Sequence, residues 1–217
     1  MSKVLIFANG KAKKGVMVYR ALSDSEGAMI IAADGGARIA LDYEMPPHSV
    51  IGDMDSLSAE ELSTLANDDV QIVRHAPEKD ETDLELALIY AVEQGATWIR
   101  IIGAIGGRFD QMLANVYLLA LPQLADCDVA LVAGKQMITL LRPGLHHLTG
   151  KPDDTISLLP ISGDVQGISS RGMKYPLRDE VLAFGPARGI SNVMLTAQAS
   201  VTFRSGLLLC VHTDGEA

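Results

Sequence analysis

Acidic residues recur at four places in this chain, each following an apolar run that reads as a strand. Met29–Ala33 leads into Asp34-Gly35-Gly36, and Val50–Ile51 into Gly52-Asp53-Met54-Asp55-Ser56. Gln71–Val73 is followed by Glu78-Lys79-Asp80-Glu81-Thr82-Asp83, and Trp98–Ile102 by Gly103-Ala104-Ile105-Gly106-Gly107-Arg108-Phe109-Asp110-Gln111. In a parallel α/β sheet these places share one edge, at the carboxyl ends of the strands, where ligands bind. Carboxylates gathered in one crevice repel each other unless their pKa values rise or a cation neutralises them. Oxygen donors without a His or Cys cluster favour Mg²⁺ or Ca²⁺ over zinc, and Mg²⁺ commonly takes one or two carboxylates and fills its shell with water and substrate phosphates. Asp53 and Asp55, two residues apart on a turn, suit that role. Arg108 follows a glycine-rich turn whose N–H groups can face phosphate, and its planar fork can hold two phosphate oxygens.

Each piece has a plainer reading. A lone Asp-x-Asp is usually a solvated turn, Asp80 and Asp83 can simply favour a helix N-terminus, and Gly35-Gly36 can be an ordinary turn. Patterning alone therefore leaves a metal–phosphate site and decorative acids as equal alternatives. Gly103–Gly107 is not a dinucleotide fingerprint, and Gly10–Gly15 has Val16 where a P-loop lysine would stand.

Residues 1–133 alternate short apolar runs with helical patterns. Thr82–Gln94 places Leu84, Ala87, Leu88, Ala91 and Val92 on one face, with Thr82 and Glu85 at capping-box spacing. Phe109–Leu121 places Met112, Leu113, Val116, Leu119 and Ala120 on one side, and Pro122 ends it. With Val4–Ala8 and Val129–Ala133 as further strands, this predicts a parallel sheet covered on both faces. Residues 134–217 lose the helical period. Short β-type runs (Met137–Leu141, Thr155–Leu159, Val181–Phe184, Val193–Ala197, Ala199–Phe203, Leu207–Val211) separated by turn signals predict a small antiparallel sandwich. The fold class is α/β plus all-β: a Rossmann-like domain, then a β-sandwich.

The chain has 217 residues and a net charge of −9. That charge argues against nucleic acid as a partner, and anionic substrates need cations placed locally. No apolar run approaches the roughly 20 residues of a membrane span, and the start lacks the features of a signal peptide. Cys127 and Cys210 lie in no CxxC pair, which suits free thiols in a reducing cytoplasm. Adjacent His146 and His147 on a strand point to opposite faces and do not chelate one ion together. Trp98 is expected to pack in or beside its strand. For Lys11, Lys13 and Lys14, a solvated loop is preferred over a phosphate role.

Taken together, Ala33–Ala37 (ADGGA), Gly52–Ser56 (GDMDS), Lys79–Asp83 (KDETD), Gly106–Gln111 (GGRFDQ) and Ser191-Asn192 resemble, in order and spacing, the thiamine pyrophosphokinase (thiamine diphosphokinase) family. The resemblance implies transfer of diphosphate from ATP to the hydroxyl of thiamine, giving thiamine diphosphate and AMP. It implies Mg²⁺ on Asp53, Asp55 and Asp80, and an ATP side formed by Asp34, Gly35, Thr82, Gly107, Arg108 and Gln111. Asp53, Asp55, Asp80 and Arg108 would carry catalysis, and Asp110, Ser191 and Asn192 would face thiamine. It further implies a homodimer whose site is shared between the α/β domain of one chain and the sandwich, which binds thiamine, of the other. Tyr175 stands where animal members commonly carry Trp, and Gly189-Ile190 replaces a more polar lead-in to Ser191.

The competing readings are a diphosphokinase for another alcohol such as a hydroxymethylpterin, a non-catalytic nucleotide-binding or sensory module, and a nicotinamide-dependent oxidoreductase. The dense acids argue against the second and the missing GxGxxG against the third.

Overall fold

The computed structural model describes residues 2–216. The chain divides into two compact units, with the break between Gly134 and Lys135. In the first, strand and helix alternate: β1 (Ser2–Phe7), α1 (Val16–Asp24), β2 (Met29–Ala33), α2 (Gly36–Asp42), β3 (Ser49–Gly52), α3 (Ala59–Asn67), β4 (Gln71–Arg74), α4 (Asp83–Glu93), β5 (Ala96–Ile102), α5 (Phe109–Leu118) and β6 (Asp128–Ala133). All pairings between these strands are parallel, in the order β6-β5-β1-β2-β3-β4. Val4–Phe7 and Ile99–Ile102 are buried without alternation, as strands covered on both faces must be. Each fully buried Leu, Ile or Phe here contributes about 1.5–3 kcal/mol. The chain runs outward from β1 through β4, then returns to place β5 on the other side of β1. The loops after β1 and β5 therefore part company at a topological switch point, where such sheets open a crevice.

Local capping explains where the helices begin. Ser58 Oγ accepts from Glu61 N at 3.2 Å while Glu61 Oε2 accepts from Ser58 N at 2.8 Å, a complete capping box for α3. At α4 only half of the expected box forms: Thr82 Oγ1 accepts from Glu85 N at 3.2 Å. Helix α5 stops at Leu118, three residues short of the expected Leu121, and a 3-10 turn at Pro122–Leu124 follows. None of the residues of α5 is fully buried: of its expected apolar face, Met112 and Val116 are half-buried, Leu119 just beyond the helix is buried and Leu113 is exposed, while Phe109, 72 % exposed, and Tyr117 extend Leu113 into an exposed stripe.

The second unit contains β7 (Gln136–Leu141), β8 (Gly144–Thr149), β9 (Thr155–Pro160), β10 (Val165–Arg171), β11 (Glu180–Leu182), β12 (Asn192–Val193), β13 (Gln198–Phe203) and β14 (Leu208–Thr213). Its strands pair antiparallel in two groups, β12-β9-β14-β7 and β11-β10-β13-β8. Period-2 alternation builds the core between them: Ala199, Val201 and Phe203 of β13 point inward beside Ile156, Leu158, Ile168, Leu208 and Cys210. Burial pushes the Cys210 thiol up to about 12, so it behaves as a small hydrophobe. Asp154, buried, ties a turn to the C-terminal strand by accepting from Lys151 N and Gly215 N and pairing with His212 Nε2 at 2.8 Å. His146 is half-buried against Phe203 while His147 is exposed, so the two point apart as expected. Trp98 is buried on its strand under the Arg100 guanidinium, 4.5 Å from the ring centre. No helix among the described residues is long and apolar enough to cross a membrane.

Candidate active site

A groove of about 880 Å³ runs along the carboxyl edge of the parallel sheet. It is lined from the ends of five strands: Asn9 to Lys11 after β1, Asp34 after β2, Asp53, Asp55 and Ser56 after β3, Lys79 and Glu81 to Asp83 after β4, and Gly106 to Arg108 with Gln111 and Asn115 after β5. The sequence pattern anticipated four of these five ends. The first, Asn9-Gly10-Lys11, carries no acid, and its Lys11 reads in the sequence as a solvated loop rather than a phosphate ligand. Lys11 lines the groove, whereas Lys13 and Lys14 are not among its lining residues.

Asp34, Asp53 and Asp83 each offer a carboxylate oxygen to a group whose members lie within 4.8 Å of one another. Asp34 is 3 % exposed, and its Oδ1 is a buried oxygen without a hydrogen-bond partner. Buried polar atoms are nearly always satisfied, so an unpaired buried oxygen on a carboxylate grouped with two others suits a cation. Gly52 makes the approach possible. Its φ is +150°, and a Cβ there would lie 2.9 Å from the Asp83 carboxyl and 3.1 Å from Asp34 Cβ. The donors are all hard oxygens, which fit Mg²⁺.

Asp80, expected beside Asp53, is exposed and outside this group. The reason is helix phase: Thr82 is the N-cap of α4, so Asp83 is its first helical residue and is fixed by the helix, while Asp80 lies on the preceding bend. Asp55 is exposed and faces the groove. Its turn is held tightly: Asp53 Oδ1 accepts from Asp55 N at 3.1 Å, and Met54 between them adopts φ 68° with its side chain buried. A bulky residue in that region is strained and persists because packing with Ala37, Leu57 and Leu65 holds it there. Arg38 braces the same loop, donating to Ser56 O at 2.7 Å while paired with Glu61, whose carboxyl is held down to about 2 first by that Arg38 bond.

Thr82, Gly107, Arg108 and Gln111 line the groove as expected, whereas Gly35 serves as the N-cap of α2. Arg108 pairs with Asp110 at 2.5 Å, the bond from Arg108 holding the Asp110 carboxyl down to about 2. Both side chains are largely exposed, so the pair can open to meet a phosphate.

In the second unit, a separate cavity of about 360 Å³ is lined by Lys174, Tyr175, Pro176, Arg188, Ile190 and Asn192. Asn192 is buried and committed to the backbone: its Nδ2 donates to Tyr175 O at 2.7 Å and its Oδ1 accepts from Tyr175 N at 3.0 Å. Its polar atoms hold Tyr175 in place rather than reaching outward. Ser191 is exposed, with φ 54°.

Comparison with known proteins agrees with this architecture. The family model described as "Thiamin pyrophosphokinase, catalytic domain" matches residues 21–131, and "Thiamin pyrophosphokinase, vitamin B1 binding domain" matches residues 146–208. The chain is 29 % identical to a thiamine pyrophosphokinase of Bacillus subtilis over 87 % of its own length and 88 % of that protein. A crystal structure of thiamine pyrophosphokinase from Bacillus subtilis superposes with a TM-score of 0.87 at 27 % identity, covering 98 % of this chain and 99 % of that one. One from Geobacillus thermodenitrificans gives 0.84 at 29 % identity, covering 98 % and 97 %. With the catalytic model spanning half of the sequence and the vitamin-binding model much of the remainder, the chain belongs to the thiamin pyrophosphokinase family.

Proposed function

We propose that this protein is a thiamine diphosphokinase, moving diphosphate from ATP to the hydroxyethyl oxygen of thiamine. The hydroxyl oxygen attacks the β-phosphorus of ATP, the α–β phosphoanhydride bond breaks, and AMP leaves. The hydroxyl proton passes to a base, and thiamine diphosphate forms. The observation that carries the reading is the grouping of Asp34, whose buried Oδ1 has no hydrogen-bond partner, with Asp53 and Asp83 at the carboxyl edge of a parallel sheet. Asp34, Asp53 and Asp83 would hold Mg²⁺, with Asp55 beside them, and the ion when bound supplies neutralising charge to the polyphosphate. Phosphoryl-type transfer depends on positioning and charge neutralisation more than on covalent help. Arg108 and Lys11, which line the groove, would take phosphate oxygens from different loops, and Gln111 lies in the first turn of α5. These cations answer the overall charge of −9.

The protein acts, on this reading, as a homodimer in which the partner's sandwich brings thiamine to the groove. Two features support it. The exposed Phe109, Leu113 and Tyr117 stripe of α5 starts directly after Arg108, and the exposed Tyr175 ring and Ser191 lie in the unit matched by the vitamin-binding model. Two cysteines outside any disulfide suit a cytoplasmic setting.

Incubation with ATP, Mg²⁺ and thiamine tests the reaction: AMP and thiamine diphosphate should appear in equal amounts. Turnover of hydroxymethylpterin in place of thiamine, or ATP binding without AMP release, would overturn it.

A further inference from the structure

Lys79 is the residue of the groove whose position the reaction above leaves unexplained. Its side chain is 13 % exposed, and its Nζ lies 2.6 Å from Asp83 Oδ1. Asp83 is one of three carboxylates that offer oxygens within 4.8 Å of one another, and the Oδ1 of Asp34, another of the three residues, has no hydrogen-bond partner. A lysine is a compact point charge on a flexible four-carbon stem, able to exchange one anionic partner for another without losing its charge. Lys79 follows the turn at Pro77, on the loop between β4 and α4, outside either element. Its ammonium therefore sits where it offsets part of the mutual repulsion of the cluster, and Asp83 has to be shared or surrendered when a divalent cation arrives.

We infer that Lys79 is an exchangeable internal cation: it holds Asp83 while the carboxylate cluster is empty of metal, yields that carboxylate to the incoming ion, and then serves as a phosphate ligand in the same groove. This rests on the reading of Asp34, Asp53 and Asp83 as an ion site. Lys79 and Arg108 line one groove, so a polyphosphate held there could meet both cations. It also sets a reciprocal coupling. If the ion weakens the Lys79–Asp83 pair, then Lys79 weakens ion binding in the absence of nucleotide by the same factor. Removing Lys79 should thus move two affinities in opposite directions, which a merely structural ion pair would not do.

The test is Mn²⁺ binding, followed by the electron paramagnetic resonance of the free ion, in the wild type, Lys79→Gln, Lys79→Arg and Asp53→Asn. Without nucleotide, Lys79→Gln should bind Mn²⁺ at least about threefold more tightly than wild type. Lys79→Arg, which keeps a cation, should stay within about twofold. With Mn²⁺ saturating, a non-hydrolysable ATP analogue should bind Lys79→Gln about tenfold more weakly, the loss of one charge-assisted contact. Unchanged or weaker Mn²⁺ binding in Lys79→Gln, beside a wild type whose binding depends on Asp53, would overturn the role of Lys79 and leave the ion site standing. Wild-type Mn²⁺ binding that Asp53→Asn does not weaken would overturn the ion site, and this inference with it.

Discussion

Replacing Asp34 by asparagine should make the metal-free protein more stable while it abolishes activity. The side chain is almost fully buried, and one of its oxygens faces Asp53 and Asp83 within 4.8 Å. At that separation and an effective dielectric constant of about 20, each like-charge pair costs about 3.5 kcal/mol, an upper bound for an open groove. Solvent reduces this, and the Lys79 ammonium beside Asp83 offsets part of it. A net relief of about 1–2 kcal/mol is expected, which for a protein of this size corresponds to a rise in Tm of about 2–8 °C. Asparagine adds little backbone cost, because Asp34 sits at φ 45°, a region that asparagine tolerates as readily as aspartate. The new amide can also donate to the remaining carboxylates. Calorimetric melting in EDTA should show the rise, and kcat with ATP and thiamine should fall at least about a hundredfold. Added Mg²⁺ with an ATP analogue should raise the Tm of the wild type and not that of the variant. A Tm in EDTA equal to or below that of the wild type would refute the premise that these three carboxylates repel one another in the folded protein.

Arg108→Lys should lower kcat/KM for ATP at least about tenfold, because lysine keeps the charge and loses the fork; steady-state kinetics returning the wild-type value would remove Arg108 as a phosphate clamp. Mixed dimers of Asp53→Asn with a chain carrying both Tyr175→Ala and Ser191→Ala should recover at most about half of the native activity per heterodimer. A purified heterodimer that stays inactive would exclude a site shared between chains. Asp154→Asn should cost roughly 2–4 kcal/mol at pH 7, since it sets an amide against N–H donors and breaks the pair with His212. Burial pushes the Asp154 carboxyl up, but hydrogen bonds from Gly215, His212 and Lys151 outweigh it and hold the group below its usual range. Its stabilisation is therefore present above the unfolded pKa of about 3.9 and drains away as pH falls through the lower folded value. Urea unfolding should accordingly show the gap between wild type and variant closing under acid, and a gap independent of pH would count against it.

Most strands of the first unit were legible because strands buried on both faces take apolar residues, and the partly exposed edge strand β4 from its short Ile72-Val73 run: Met29–Ala33 coincides with β2, and the other runs fall within a residue or two of β1, β3, β4, β5 and β6. The short helices were less so. Helix α2 has only seven residues, and α1 has Gly15 as its N-cap, which offers no side-chain cap. In the second unit β8 and β10 were missed for opposite reasons. β8 is largely exposed and carries two histidines, while β10 buries Ser170 and contains Gly167, so neither shows a clean apolar alternation. The run Val193–Ala197 shrinks to the two residues of β12 because Met194 leaves the ladder to bridge Met173. At the site, the positions of the acids along the sheet edge could be read from order alone. That Asp83 rather than Asp80 groups with Asp34 and Asp53 could not, although Thr82 already marked the start of α4, because it depends on how side chains approach one another across Gly52. The inward commitment of Asn192 to Tyr175 is likewise a tertiary fact, the partners standing 17 positions apart.

The groove divides its chemistry between two sets of loops. Acids come from the ends of β2 and β3 and the start of α4, while Lys11, Gly106, Gly107 and Arg108 come from the ends of β1 and β5 on either side of the switch point. A bare polyphosphate entering this groove would gain from the second set and be repelled by the first. A bare cation would be drawn to the acids but would have to displace Lys79 from Asp83. On the proposed reading only the two together would satisfy both sets, the ion neutralising the acids and the phosphates taking up the ammonium and guanidinium groups. Ion and nucleotide are thus expected to bind with strong positive coupling, a consequence of placing opposite charges on adjacent strand ends of a single sheet.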